Sequence, residues 1–126
     1  DTATNALEWA APVVIAVKSN GSIRICGDFR VTINPHVVGE EHPMPTFDEI
    51  VTKLTGSTIF SVIDLKDAYL QLEVEEASRN FLGLATHKGY YRYKRLPFGV
   101  SFAPKKFQKT MDAILTGVPN VAWYLD

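Results

Sequence analysis

The sequence predicts a single α+β domain, and three observations support that fold class. Two pairs of short apolar runs, each joined by a turn, predict β-hairpins; two amphipathic segments predict helices; two further apolar runs each end in an aspartate. The order is hairpin, helix, strand, hairpin, helix, strand, and not an alternation of strand and helix. With 126 residues and 46% hydrophobic content, the chain can form one core, and its composition is not typical of disorder.

Both hairpins are predicted from apolar runs that flank turn-forming residues. In the first, residues 13–17 and 23–26 flank a Ser-Asn-Gly-Ser turn at 19–22. Asn-Gly between apolar runs favours a tight turn in which both residues adopt positive φ. In the second, residues 81–86 and 90–93 flank His-Lys-Gly.

Helix signals bracket both amphipathic segments. Thr46 predicts the start of the first helix, because Glu49 stands three residues later and completes a capping box. Gly56 predicts its end. Pro104 opens the second helix, and Gly117 predicts where that helix stops.

The two remaining apolar runs predict strands, each with an aspartate at its C-terminal tip. Residues 57–63 precede Asp64, and residues 121–125 precede Asp126. Two carboxylates at adjacent strand tips would repel each other without a cation between them, so the pattern predicts a divalent-metal site for phosphoryl transfer. A helix cap or turn former is the alternative for either aspartate. Because the chain ends where this site would be completed, we expect a fragment of an enzyme.

The segment after Asp64 leaves more than one structure open. Residues 67–72 are ambiguous between helix and strand. If this segment turns helically, the Asp64 and Asp67 side chains share a face. Asp67 could equally cap the turn.

Charge is distributed unevenly, although the formal net charge is only −1. The charged residues among residues 40–76 are mostly acidic, nine acidic against two basic, whereas residues 88–109 carry only basic charges together with several aromatic rings. Basic residues interleaved with aromatic rings suit a polyanion that offers flat bases, and a solvated basic face is the alternative. No apolar run approaches the roughly 18 residues of a membrane span. The lone Cys26 favours a reducing, intracellular setting.

Five segments occur in order along the chain: IRICGDFRVTINPHV, HPMPTFDEIVTKL, SVIDLKDAYLQLEV, THKGYYRYKRLPFGVSFAPKKFQ and VAWYLD. Together they closely resemble the reverse transcriptases of gypsy-type long-terminal-repeat retrotransposons, over roughly residues 9–126. The resemblance implies that residues 1–126 are a partial reverse transcriptase domain. It would comprise the fingers and the N-terminal part of the palm of a right-hand polymerase, with an antiparallel palm sheet and packed helices. The thumb and ribonuclease H domains would be absent.

The resemblance also implies RNA-directed DNA polymerase activity, in which a primer 3′-OH attacks a dNTP on an RNA or DNA template. Two Mg²⁺ ions, with Mn²⁺ as a substitute, would be held by the carboxylates of Asp64 and Asp126 and the backbone carbonyl of Leu65. Lys18 and Arg24 match fingers residues that grip the triphosphate. The family's second active-site aspartate would follow Asp126.

Further positions are implied around the nucleotide and the template. Tyr69 matches the steric gate that crowds a ribose 2′-OH and so favours deoxynucleotides. The other implied nucleotide contacts are Asp67, Ala68, Phe98 and Gly99. Contacts to the template or to nucleic acid are implied for Asp28, Arg30, Lys105 and Lys106. For the first two of these, a structural ion pair is an equally good interpretation. Gln108 is expected to support the palm.

Two other hypotheses stand beside the polymerase. The chain could be a catalytically inactive remnant that only binds nucleic acid through residues 88–109, and the isolated 126-residue polypeptide is expected to be inactive. It could also be a different Mg²⁺-dependent phosphoryl-transfer enzyme. By resemblance, we expect further polyprotein domains (protease, ribonuclease H and integrase) and a cytoplasmic virus-like particle.

Overall fold

The computed structural model describes residues 8–39 and 43–125. In chain order its strands and helices are β1 (Ala10–Val17), β2 (Ile23–Gly27), α1 (Phe47–Leu54), β3 (Gly83–Thr86), β4 (Gly89–Arg92) and α2 (Ala103–Leu115). Short 3₁₀ helices lie at Phe29–Val31, Asn34–His36, Ala68–Gln71 and Glu76–Leu82. This combination of a sheet and separate helices confirms the α+β class. No helix in the described ranges is long and apolar enough to cross a membrane.

The four strands form one mixed sheet in the order β2-β1-β3-β4. β1 pairs antiparallel with β2, and β3 pairs antiparallel with β4, so both predicted hairpins are confirmed. A parallel pairing joins the hairpins, with residues 10–12 opposite residues 83–85. Parallel neighbours need a long crossover connection, and here the chain between the two hairpins contains α1 and all four of the 3₁₀ helices named above. The sheet therefore brings the segment that follows β4 close to the first hairpin.

The turn of the first hairpin differs from the predicted tight Asn-Gly turn. Gly21 has a φ of +82°, but Asn20 does not adopt a positive φ. The Gly21 N–H donates to the Lys18 carbonyl at 2.9 Å, and the Lys18 N–H donates to the Ser22 carbonyl at 2.8 Å. The Asn20 side-chain oxygen accepts from the backbone N–H and the hydroxyl of Ser22 at 3.0 and 2.6 Å. A loop of this length needs only one left-handed residue, which is why glycine alone suffices.

Phe29 fills the centre of the core beneath two glycine backbones. Its side chain is 0% exposed. A Cβ atom on Gly27 would lie 2.8 Å from the Phe29 ring, and one on Gly99 would lie 3.7 Å from it. The ring thus holds the end of β2 against the loop that contains Gly99. The other buried apolar residues of the core are Ala11, Leu82, Leu84, Leu96, Val100, Ala103 and Phe107.

Replacing Phe29 with alanine is expected to lower the free energy of unfolding by about 3–5 kcal/mol, because it leaves a cavity in a fully buried site. A domain of this size has about 5–15 kcal/mol in total. Urea denaturation followed by circular dichroism measures the loss. Phe47→Ala is the matched control, since the Phe47 ring is 73% exposed on α1. Equal losses in the two variants would contradict the central packing role of Phe29.

Both predicted helices are present with the predicted start signals. The Thr46 hydroxyl accepts from the Glu49 N–H at 3.2 Å, and the Glu49 carboxylate accepts from the Thr46 N–H at 2.7 Å. This reciprocal pair confirms the capping box of α1. Pro104 lies in the first turn of α2, where its missing N–H costs no hydrogen bond. Gly117 follows α2 with a φ of +79°.

The two predicted strands that precede the aspartates are wrong for the described structure. Residues 57–63 and 121–125 adopt no regular secondary structure. In the first segment Ile59 and Val62 are 89% and 92% exposed, which also contradicts a buried strand. β-branched and aromatic residues suit a half-buried pleated surface, but they do not supply a hydrogen-bonding partner. No segment within residues 8–39 or 43–125 forms a ladder with either run.

Candidate active site

The first hairpin carries two cations on one face of the sheet. Arg24 in β2 lies opposite Ala16 in β1, and Lys18 follows Ala16 by two residues. Because side chains alternate along a strand, Arg24, Ala16 and Lys18 point to the same side. Arg24 is half-buried and Lys18 is exposed. The hairpin therefore presents two positive charges close together at its free end.

An open cavity of about 270 Å³ lies against this pair of cations. Four of its lining residues are among the nucleotide contacts that the sequence predicted, and they come from three separate parts of the chain. Its charged groups are two cations and one carboxylate, and the other residues supply apolar and aromatic walls. The lining residues are Lys18, Ile23, Arg24, Ile25, Asp67, Leu70, Tyr93 and Phe98.

A row of aromatic rings runs from this cavity to α2. The Arg24 guanidinium lies 4.4 Å from the centre of the Phe98 ring, a cation–π contact. Phe98 is 5.0 Å from the Tyr69 ring, and Tyr69 is 5.6 Å from the ring of Phe107, centre to centre. Burial raises the pKa of the Tyr69 phenol. The hydroxyl is therefore protonated at neutral pH, and packing fixes the ring beside Phe98.

Asp67 adopts a left-handed conformation at the turn before Tyr69. Its φ and ψ are 49° and 50°, a region that aspartate tolerates better than most residues. The 3₁₀ helix begins at Ala68, and the Asp67 side chain makes no capping hydrogen bond. The predicted cap is therefore wrong. The shared helical face is wrong too, because Asp64 lies in irregular chain before the turn. The Gln71 amide closes the turn by donating to the Lys66 carbonyl at 2.8 Å.

Gly99 lies in a tight loop whose backbone is hydrogen-bonded by Asn34, a residue distant in sequence. The φ of Gly99 is +91°, and a Cβ there would lie 3.1 Å from the carbonyl oxygen of Gly27. The Asn34 amide donates to the Gly99 carbonyl at 2.9 Å and accepts from the Ser101 N–H at 3.0 Å. Sequence reasoning missed Asn34, because an Asn-Pro pair indicates only a local turn. These two hydrogen bonds fix the backbone next to Phe98.

The predicted metal ligands are only partly described. Asp64 is exposed on the irregular segment, and the neighbouring Leu65 is 38% exposed, whereas Asp126 lies outside the described residues. Within residues 8–39 and 43–125 no group of three or more His, Cys, Asp or Glu side chains could hold a metal ion. An exposed carboxylate and a backbone carbonyl are nevertheless the hard oxygen donors that Mg²⁺ takes, usually with substrate phosphates and water. The donor chemistry of Asp64 and Leu65 therefore fits this ion.

Asp28 and Arg30 form a two-pronged ion pair. Arg30 Nε and Nη2 donate to the two Asp28 carboxylate oxygens at 2.7 and 2.8 Å. This hydrogen-bonded pairing lowers the pKa of Asp28 and raises the pKa of Arg30. The ion pair that the sequence offered as one interpretation is present, and a template contact stays a prediction. Lys105 and Lys106 are exposed in the first turn of α2 and do not line the cavity.

Tyr93 is a second site residue that sequence reasoning did not identify. Its hydroxyl lies 3.4 Å from the Ile25 carbonyl oxygen, to which it donates, and the ring forms part of the cavity wall. Burial raises the pKa of Tyr93, with a smaller contribution from nearby Cys26. Tyr93 lies within one of the quoted segments, but nothing in the sequence places it at the hairpin, which it reaches through the pairing of β1 with β3.

Comparison with known proteins supports the motif-based resemblance. The family described as reverse transcriptase (RNA-dependent DNA polymerase) matches residues 17–126. A solved structure of the prototype foamy virus protease–reverse transcriptase superposes with a TM-score of 0.82. It is 20% identical to this chain and covers 98% of it, while the match spans 17% of the viral chain. At that identity the likeness establishes the fold.

Relatives in two animals and one fungus extend the match. An uncharacterised protein of Caenorhabditis elegans is 46% identical over 94% of this chain and 10% of its own length. The Tf2-7 transposon polyprotein of Schizosaccharomyces pombe is 33% identical over 93% of this chain and 9% of its own. The retrovirus-related Pol polyprotein from transposon 412 of Drosophila melanogaster is 36% identical over 82% of this chain and 8% of its own length. The chain thus spans about a tenth of these relatives. It belongs to the reverse transcriptase (RNA-dependent DNA polymerase) family, and its recognition as a gypsy-type retrotransposon sequence is confirmed.

Proposed function

We propose that this chain supplies the fingers and the N-terminal part of the palm of a reverse transcriptase. The enzyme would extend a DNA primer with dNTPs on an RNA or DNA template. One observation carries the proposal: residues from three separate parts of the chain line one cavity, namely Lys18, Arg24, Asp67 and Phe98. Two cations beside an aromatic ring are what a triphosphate and a base require together.

The hairpin cations would bind the triphosphate of the incoming nucleotide. Lys18 acts as a flexible point charge, whereas the planar Arg24 guanidinium can donate two N–H groups to phosphate oxygens. The Arg24 guanidinium lies over the Phe98 ring, so the contact holds it at the cavity before a nucleotide arrives. Within the described sheet β2 pairs only with β1, and β1 pairs with β3 only at residues 10–12. The far end of the hairpin would therefore be able to close over the phosphates.

Asp64, Asp126 and the Leu65 carbonyl would hold two Mg²⁺ ions, or Mn²⁺ in their place. Bound there, the metals would activate the primer 3′-OH and stabilise the negative charge that develops on the leaving oxygen. In the reaction the 3′-oxygen forms a bond to the α-phosphorus, the α–β bridging bond breaks, and pyrophosphate leaves. Asp67, left-handed and at the cavity, lies between the metal segment and the gate residue in the chain.

Tyr69 would exclude ribonucleotides by crowding the sugar 2′ position. Its ring is packed between the rings of Phe98 and Phe107, so it cannot swing aside at low cost. Ala68 and Gly99 would lie against the nucleotide through their backbone, and the Asn34 hydrogen bond keeps the second of these in place. Rigid support of this kind is what a steric gate needs.

Nucleic acid would lie along the basic positions of the chain. Arg30, which Asp28 orients, and the exposed Lys105 and Lys106 are proposed contacts to the template or its backbone. Such contacts weaken steeply with salt. Binding that persists without any templated synthesis would favour the inactive remnant in place of the polymerase. The polyprotein names of the relatives support a polyprotein context for this chain. Protease, ribonuclease H and integrase domains in that polyprotein, and a virus-like particle in the cytoplasm, stay proposals from the family resemblance.

The variant Arg24→Gln tests whether the Arg24 guanidinium binds the triphosphate of the incoming nucleotide. In a reverse transcriptase that carries this chain, the variant is expected to raise the dNTP Michaelis constant about 10- to 100-fold, because it removes a hydrogen bond from a charged donor worth roughly 1.5–3 kcal/mol. The measurement is steady-state primer extension on an RNA template with a DNA primer. Lys53→Gln is the control, since Lys53 is an exposed cation on α1, away from the cavity. An unchanged Michaelis constant for Arg24→Gln would contradict the proposal.

A further inference from the structure

Helix α2 carries a polar pair to which the proposed chemistry assigns no role. Gln108 is 2% exposed, and its amide nitrogen lies 3.3 and 3.1 Å from the two carboxylate oxygens of Asp112, one turn later. The Trp123 indole N–H donates to Asp112 Oδ1 at 3.1 Å. Asp112 therefore accepts hydrogen bonds from its own helix and from the segment that leads to Asp126.

The orientation of this pair is fixed by charge. The Gln108 oxygen Oε1 is buried and has no hydrogen-bond partner in the described part of the chain. Turning the amide over would direct that oxygen at the Asp112 carboxylate and place two acceptors against each other. The carboxylate thus holds the amide in one orientation at the cost of one unsatisfied buried oxygen. A buried polar group left in this state calls for an explanation.

Trp123 joins residues 119–125, which form no helix or strand, to α2. Its ring packs edge-on against Phe107 at 6.1 Å, and Phe107 in turn contacts Tyr69. After the Val118 N–H, which donates to the Leu115 carbonyl at 3.1 Å, residues 119–125 belong to no strand ladder with the rest of the described chain. A ring contact and an indole hydrogen bond, both made by Trp123, therefore join this segment to α2.

We propose that Asp112 is a positioning residue that acts through Trp123 on the approach to Asp126. This inference rests on the proposed function, in which Asp126 holds metal. Asp126 follows Trp123 by three residues in the sequence, so a loose indole would loosen the described segment that leads to it. Groups that orient metal ligands typically change metal affinity or activity by about 10- to 100-fold when removed. Gln108 holds the Asp112 carboxylate toward the indole.

The attachment of Trp123 to α2 is tested by fluorescence of the 126-residue chain without metal or substrate. The chain has two tryptophans, and Trp9→Phe leaves Trp123 as the only reporter. In that background Asp112→Ala is expected to shift the Trp123 emission to longer wavelength and to increase its quenching by acrylamide. Asp112→Asn is expected to restore both values, because it keeps an oxygen acceptor for the indole and adds a donor for Gln108 Oε1. Unchanged emission in Asp112→Ala, or no restoration by Asp112→Asn, would overturn the proposal.

The consequence for catalysis is tested by primer extension in a reverse transcriptase that carries this chain. Asp112→Ala and Trp123→Phe are each expected to lower kcat about 10- to 100-fold and to raise the Mg²⁺ concentration for half-maximal rate. The Michaelis constant for primer–template should not change, and the double variant should lose no more than either single one. Trp123→Phe removes the indole N–H and leaves a smaller aromatic ring against Phe107, so it still tests the hydrogen bond if Asp112→Ala folds poorly.

Thr110→Ala, on the same helix but away from Trp123, is the control and should retain the parent kcat. Additive losses in the double variant, or a normal kcat in Trp123→Phe, would overturn the positioning role. Normal extension by Asp64→Asn would instead remove the proposed function, and the fluorescence result would still decide whether Asp112 holds Trp123. The two failures are therefore distinguishable.

Discussion

Asp64→Asn is expected to lower the rate of primer extension about 10³-fold or more, which corresponds to roughly 4 kcal/mol of transition-state stabilisation. The amide keeps the shape of the carboxylate but loses the negative charge that a hard divalent ion requires. The side chain is exposed on an irregular segment, so the fold should not depend on it. The measurement is single-turnover extension of a DNA primer on an RNA template, with the unfolding temperature recorded in parallel.

Asp48→Asn is the matched control for this variant, because Asp48 is an exposed aspartate in the first turn of α1. It should extend primers at the parent rate. If Asp64→Asn also extended at that rate with a normal unfolding temperature, the assignment of Asp64 as a metal ligand would be wrong. If both variants lost activity equally, the effect would be one of overall charge.

Tyr69→Val is expected to raise the incorporation of ribonucleotides relative to deoxynucleotides by on the order of 10²-fold, since a pocket discriminates by roughly 10- to 200-fold per small group excluded. The aromatic ring would crowd the 2′-OH, and valine leaves that space open. Rates with dTTP and UTP on a poly(rA) template measure the ratio. The rate with dTTP itself should change much less than the ratio.

Tyr69→Phe separates the ring from its hydroxyl. It keeps the contacts with Phe98 and Phe107 at 5.0 and 5.6 Å, and it should discriminate between sugars as the parent does. Because burial keeps the Tyr69 phenol protonated, its loss removes no charge. A ratio that rose equally in Tyr69→Phe and Tyr69→Val would mean that the hydroxyl, and not the bulk of the ring, rejects the ribonucleotide.

Local signals predicted the parts of the fold that depend on local interactions. The capping box at Thr46 and Glu49 is complete within four residues, and both hairpins join strands that are adjacent in sequence. These elements form as expected. The parallel pairing of residues 10–12 with residues 83–85 could not be predicted, because no short-range pattern connects segments so far apart. That pairing is what brings Tyr93 to the hairpin.

Each error in the predicted structure has a physical cause that composition and local pattern do not reveal. Residues 57–63 have the composition of a strand, but strand formation depends on a partner that composition does not specify. Asn20 was expected to adopt positive φ, yet its side chain bonds to Ser22 and the longer loop relieves the backbone. Asp67 was expected either to cap a helix or to share a helical face with Asp64, and it adopts a left-handed conformation instead.

The motifs predicted several residues of the candidate site, but they did not predict the residues that hold those residues in place. Lys18, Arg24, Asp67 and Phe98 were all named from the sequence, and they line one cavity. Asn34 lies in a quoted segment, but nothing in the sequence indicates that it hydrogen-bonds to Gly99 and Ser101, more than sixty positions away. Motifs mark the groups that contact substrate. The residues that hold those groups become visible only once the chain is folded.

Binding of Mn²⁺ together with dTTP tests most directly the central claim, which is that Asp64 and the hairpin cations form one nucleotide–metal site. The loss of the free Mn²⁺ electron paramagnetic resonance signal measures it as dTTP is added to the chain. Asp64→Asn and Arg24→Gln are each expected to weaken binding of the Mn²⁺–dTTP complex about tenfold or more, while Asp48→Asn and Lys53→Gln bind as the parent does. Equal affinity in the parent and all four variants would contradict the claim.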